Sequence, residues 1–119
     1  MNEKFYELPP EKQQRIINAG LEVFGAHDYP QASTDDITAK AEISKGLLFY
    51  YFKNKKEFYL FLFDYCCEFF RSQVVTEDFI KITDFFDLME YAARIKYSVI
   101  LQYPYMMNFV MKAYYSRRE

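Results

Sequence analysis

The chain has 119 residues, 51% of them hydrophobic and 21% aromatic, with 12 Tyr, 13 Phe, no Trp, three Gly and four Pro. This composition excludes a disordered or low-complexity polypeptide and fits one helix-rich domain, or a small domain with part of another. A formal charge of -2 and a pI near 5.5 exclude a uniformly basic nucleic-acid binder. The charge is unevenly spread, however: residues 1–39 carry three bases against seven acids, residues 40–56 five lysines against Glu42, and residues 57–119 seven bases against nine acids. A local basic patch suffices for DNA, since only the contacting face must match the phosphates. Adjacent Cys66 and Cys67 are expected to be reduced, buried thiols of a reducing compartment. The N-terminal MNEKFYELPPEK has no apolar run of the signal-peptide kind. The longest apolar run, Phe58 to Phe63, is far short of the ~20 residues of a membrane span, so the expectation is a soluble, cytoplasmic protein without membrane contact.

The first helix is predicted to open at Pro9 or Pro10, where a missing amide costs nothing, with Glu11 at the positive end of the dipole. Ile16, Ala19, Val23 and Phe24, with Ile17 and Leu21 beside them, recur at helical spacing up to Ala26. His27 is the only histidine; without a second ligand it reads as a helix-end residue rather than a metal or catalytic one. Ser33 or Thr34 caps a short helix carrying Ile37 and Ala41. Ser44 caps another, with Leu48 and Phe52 facing inward. Asn54, with Glu57 at the reciprocal position, caps a third that stays apolar on nearly every face from Phe58 to Val75 and is therefore expected to be buried on more than one side. Residues 74–83 read as a loop or a short helix capped by Thr76. Asp84 to Gln102 is helical in pattern, with Phe85, Leu88, Met89, Ala92, Ile95, Val99 and Ile100 on one face. Pro104 opens a last helix through Met106, Met107, Phe109, Val110, Met111 and Tyr114, which ends in Arg117, Arg118 and Glu119.

The stretch that carries chemistry is Thr34 to Lys56. Two short helices joined by a three-residue turn match the helix-turn-helix arrangement, whose second helix enters the major groove N-terminus first. Ser44 and Lys45 offer a hydroxyl and a charge at the positive helix end, and Gly46 allows close backbone approach. Tyr50 and Tyr51 supply hydroxyls, and Lys53, Lys55 and Lys56 supply flanking charge. Taken alone, LLFYYF reads as core; the turn spacing, the lysines and the capped helix that follows turn the reading toward DNA. The run Ile37 to Lys55, ITAKAEISKGLLFYYFKNK, resembles the signature of the tetracycline-repressor (TetR/AcrR) family of bacterial transcriptional regulators, and the likeness extends over residues 12 to 62. It implies that Lys45, Gly46, Leu47 and Tyr50 face bases or the groove floor, and that Thr34, Ser44, Phe49, Tyr51 and Lys55 lie against the sugar-phosphate backbone. Three positions depart from the family pattern: Glu42 stands where Gly is frequent in the turn, Thr38 replaces an Ala, and Phe49 replaces a Tyr.

The resemblance implies an all-α fold, with a three-helix helix-turn-helix DNA-binding domain over residues 1–53. A partial helical ligand-binding and dimerisation domain follows over 54–119, with the helix 54–73 as connector. It also implies a ligand-responsive repressor that binds a palindromic double-stranded operator as a homodimer. An unidentified small-molecule effector would bind near Phe69, Phe70, Met89, Tyr103 and Met107. No cofactor or metal is implied, and an enzyme is disfavoured because no histidine pair, Gly-rich phosphate loop or nucleophile beside a base is visible. Since such regulators continue for several more helices, the chain reads as a fragment, a truncated product or an unusually short member, with apolar faces expected to be exposed on its last two helices. The alternative is a helical protein-protein interaction module whose lysines are merely solvated.

Overall fold

The computed structural model describes residues 3–74 and 76–118, the side chains of Arg117 and Arg118 excepted. These residues form eight helices and no strand: α1 (Glu3–Tyr6), α2 (Pro10–Ala26), α3 (Thr34–Ala41), α4 (Lys45–Phe52), α5 (Lys55–Gln73), α6 (Thr76–Ile80), α7 (Phe85–Gln102) and α8 (Met106–Arg118). Val75 and the charged end formed by the side chains of Arg117 and Arg118 and by Glu119 lie outside the described residues.

Local chemistry sets most boundaries. α2 opens on Pro10 and closes where His27 turns extended and its amide donates to the Val23 carbonyl. The side chains of Ser33, Ser44 and Asn54 accept from the amides of Asp36, Leu47 and Glu57 at 3.3, 3.1 and 2.8 Å, so each predicted cap satisfies an amide its helix leaves orphaned. α1 was not predicted. It is one turn long, and it forms because Phe5, fully buried, packs against Phe52 and Phe61 at ring distances of 5.1 and 5.3 Å.

α2 is the central element, with α3 and α8 along its length and α5 across it. The crossing with α5 needs Gly20, because a β-carbon there would stand 2.6 Å from Leu62 Cδ1 and 2.7 Å from Phe58 Cζ, both in fully buried side chains. Ile16, Ile17, Leu21, Ile37, Leu48, Phe58, Leu62, Val99, Met106 and Phe109 make one continuous core.

α5 is buried on more than one side, as expected: Phe58, Phe61, Leu62 and Cys66 are buried among α2, α4 and α8, while Leu60 is exposed on the flank that these helices leave open. One expectation is corrected, that of two buried thiols. Only Cys66 is a buried thiol; Cys67, one residue on and about 100° round the helix, faces solvent. Exposed apolar residues on the last two helices were expected, and they are present: on α7 only Val99 is fully buried, while Phe85, Leu88, Met89 and Ile100 are exposed because no described element covers that face, and on α8 Met111 and Tyr114 are exposed. Among the described residues no helix is long and apolar enough to cross a membrane.

Candidate nucleic-acid interface

α3 ends in a Schellman turn: Glu42 adopts φ 59° and ψ 42°, its amide donates to Ala39, and the Ile43 amide donates to Thr38 at 3.1 Å. The left-handed conformation explains why glycine suits this position, and Glu42 is one of the two non-glycine residues with positive φ among those described. Arg15 of α2 braces the turn by donating to the Ala41 carbonyl at 2.7 Å, with the Glu42 carboxylate 3.6 Å from its Nε. Thr38 fits the close contact because its hydroxyl donates to Asp35 O at 3.0 Å, leaving its methyl for the core.

The turn aims α4 outward. Leu48 and Phe52 are buried beneath it, and the Phe52 ring packs tilted at 4.8 and 4.7 Å against Phe58 and Phe61 of α5. Ser44, Lys45, Gly46 and Tyr50 are exposed on the outer side, with Leu47 half-buried. Gly46 differs from the glycines of α2, since a β-carbon there would meet nothing within 4 Å. No internal contact calls for glycine at that position.

The remaining site residues divide. Thr34, the first residue of α3, is half-buried, and Phe49 and Tyr51 are half-buried against the core, Tyr51 with its ring 6.0 Å from Phe5. Lys55 lies behind α4: its ammonium donates to the Tyr29 carbonyl at 2.7 Å and sits 4.5 Å above the Tyr29 ring. Lys45 pairs with Asp35 at 3.2 Å, and Lys40 with Glu22 at 2.7 Å, a hydrogen bond that raises the lysine pKa. Two acids of the first 39 residues, Glu22 and Asp35, thus fold back onto two of the five lysines of residues 40–56. Lys53 and Lys56 carry no ion pair among the described residues. Lys4 of α1, which the sequence did not single out, donates to the Tyr50 hydroxyl at 2.8 Å, and that bond raises its pKa.

Of the five residues expected at an effector pocket, the structure brings Phe69 and Tyr103 together, with rings edge-to-face at 5.0 Å. Tyr103 is buried and shares a hydroxyl-hydroxyl hydrogen bond with Tyr65, whose pKa is raised chiefly by burial. Phe70 and Met107 are half-buried, and Met89 is exposed on α7. Beside Phe69 lies an open cleft of about 390 Å³, lined also by Tyr6, Phe61, Asp64, Tyr65 and Glu68. Among the described residues no cluster of His, Cys, Asp or Glu could hold a metal ion.

A short helix, a three-residue turn entered through left-handed Glu42 and an outward-facing second helix packed on α5 define a helix-turn-helix module. Residues 16–61 match the family described as bacterial regulatory proteins, tetR family. Over 47 residues, 40% of this chain, the sequence is 45% identical to TtgW, an uncharacterized HTH-type transcriptional regulator of Pseudomonas putida, and 43% identical to SrpR, an HTH-type transcriptional regulator of the same species; these residues span 35% and 22% of those proteins. The crystal structure of a TetR family transcriptional regulator from Chloroflexus aurantiacus J-10-FL superposes with a TM-score of 0.68 and 31% identity, covering 95% of this chain and 52% of that one. Residues 16–61 thus carry the likeness to the tetR family, and the chain shares its fold with a regulator of that family over 52% of that protein.

Proposed function

We propose that this chain is the DNA-reading part of a cytoplasmic transcriptional regulator that represses from a palindromic operator. The observation that carries the reading is Gly46: a helical glycine is destabilising relative to alanine, and here it stands exposed with open space where its side chain would be. An outside partner that approaches the backbone closely supplies the missing reason. In this reading Ser44, Lys45, Gly46, Leu47 and Tyr50 face the major groove, Thr34 and Tyr51 flank the phosphates, and Lys53 and Lys56 add unpaired charge. Phe49 and Lys55 act chiefly from within, by packing and by fastening the loop before α3. Two copies would set their α4 helices about 34–36 Å apart in successive major grooves. Residues 1–53 form the reading domain and 54–119 the helical body. α5 links them through Phe58 and Phe61, so an effector bound beyond Phe69 acts on DNA affinity by favouring a different position of α5.

A gel shift with the DNA upstream of the chain's own coding region tests this. A salt-sensitive shift that Lys45→Ala with Gly46→Glu abolishes is expected; a salt-insensitive or absent shift, or one the double substitution leaves intact, refutes it. The second reading, a module that binds another protein, draws on the exposed Phe79, Ile80, Phe85 and Phe86 of α6 and α7. It predicts partner binding that the same double substitution does not touch.

A further inference from the structure

Three consecutive side chains of α1 have separate tasks. Phe5 is fully buried against Phe52 and Phe61, and Tyr6 lies against Phe61 at 6.1 Å. Gln13 fastens the segment from the other side by donating to the carbonyls of Tyr6 and Leu8 at 2.9 and 2.7 Å. With its neighbours held, Lys4 stands over α4, its ammonium 2.8 Å from the Tyr50 hydroxyl oxygen and 5.1 Å from the ring centroid. An ammonium only donates, so the Tyr50 oxygen accepts and its own proton must point elsewhere. Tyr50 is 60% exposed, on the same outer side as Lys45 and Gly46.

We propose that Lys4 is a positioning residue that fixes Tyr50 as a hydrogen-bond donor toward DNA. Tyr50 then favours acceptors, namely guanine O6 or N7, adenine N7, thymine O4 or a phosphate oxygen, over the amino groups of cytosine and adenine. The inference rests on the regulator reading and adds a residue outside the helix-turn-helix to it.

The test uses the full chain and a duplex that the wild-type protein selects from a random library. Lys4→Met, Tyr50→Phe and the double variant are compared by fluorescence anisotropy across a salt series, with circular dichroism as the fold control. Lys4→Met is expected to weaken binding about three- to tenfold, the double variant to bind like Tyr50→Phe, and the slope of log affinity on log salt to stay at its wild-type value in Lys4→Met. In DNA-free protein carrying 13C-tyrosine, the Tyr50 Cζ resonance is expected to move in Lys4→Met and return in Lys4→Arg. Wild-type affinity in Lys4→Met overturns the proposal. So does a slope reduced by about 0.9 with a loss that persists in the Tyr50→Phe background, the signature of an independent phosphate contact. A wild-type chain that selects no duplex overturns the regulator reading itself and is distinguished because it fails before any variant is compared.

Discussion

Gly46→Ala separates a glycine needed for folding from one needed for contact. The added methyl meets no atom within 4 Å, so nothing in the free protein opposes it. Alanine in a helix gains about 0.5–1 kcal/mol over glycine, and because Gly46 is the second residue of α4 the lower figure, about 0.5 kcal/mol, applies. For a chain of this size that raises the melting temperature by about 2 °C. Against DNA the same methyl meets the groove floor, and overpacking a close contact costs about 1–3 kcal/mol, or roughly fivefold to more than a hundredfold in affinity. Thermal melting and anisotropy on one preparation give both numbers, and they are expected to move in opposite directions. Gly20→Ala is the control: its methyl would stand 2.6 Å from Leu62 and 2.7 Å from Phe58, so the melting temperature falls, by a net cost of about 1 kcal/mol. Unchanged DNA affinity in Gly46→Ala would refute the assignment of Gly46 to the interface, and a lowered melting temperature would refute the open space around it.

Glu42→Gly relieves a left-handed residue and is expected to stabilise by about 1 kcal/mol, read as a higher urea midpoint; Glu42→Ala keeps the positive φ and is expected to bring no such gain. Asp35→Asn releases Lys45 from its exposed ion pair. Binding to random-sequence duplex should tighten about two- to fivefold with a steeper salt dependence, and weaker binding would count against Lys45 as a phosphate or base contact. Burial pushes the Cys66 thiol up to about 12 from an ordinary 9.0. Between those values the unfolded chain has lost the proton and the folded chain keeps it, so Cys66 contributes a fall in stability as pH rises through that window. Denaturant melts from pH 8 to 11 should show a smaller fall in Cys66→Ala, whose lower starting stability is read separately at pH 8. Ellman's reagent should find Cys67 reactive in the native protein and both thiols reactive in denaturant.

The caps at Ser33, Ser44 and Asn54 were legible because each is a bond between a side chain and an amide three residues on, which local sequence fully contains. α1 was not, because one buried aromatic in a single turn has no periodicity; Phe5 is fixed by residues about 50 positions away. Helical spacing on α7 correctly marked an apolar face but could not say whether anything covers it. Charge partition along the chain made residues 40–56 look more basic than they are in space, since Glu22 and Asp35 return to Lys40 and Lys45 through the packing of α2 on α3 and of α3 on α4. Of the residues named for an effector pocket, Phe69 and Tyr103 meet edge-to-face, a contact set by crossing geometry that spacing does not encode.

Both joints of α4 are built from non-glycine residues with positive φ, and both are short. Glu42 forms the entry turn; at the exit Lys53 has φ 69° and ψ -59°, and the Asn54 amide donates to the Phe52 carbonyl at 2.7 Å, a γ-turn. Such conformations each cost on the order of 1–3 kcal/mol and persist only where the surroundings hold them. At the entry Arg15 grips the Ala41 carbonyl; at the exit Phe52 is buried among Phe5, Phe58 and Phe61, and Asn54 at once caps α5. A two-residue joint with its carbonyl and its cap both committed has little slack. Under the proposed regulator reading, a displacement of α5 would be transmitted through the Phe52 contacts to α4 rather than absorbed in the joint, and this is the mechanical condition that a relay from the helical body to a reading helix must meet.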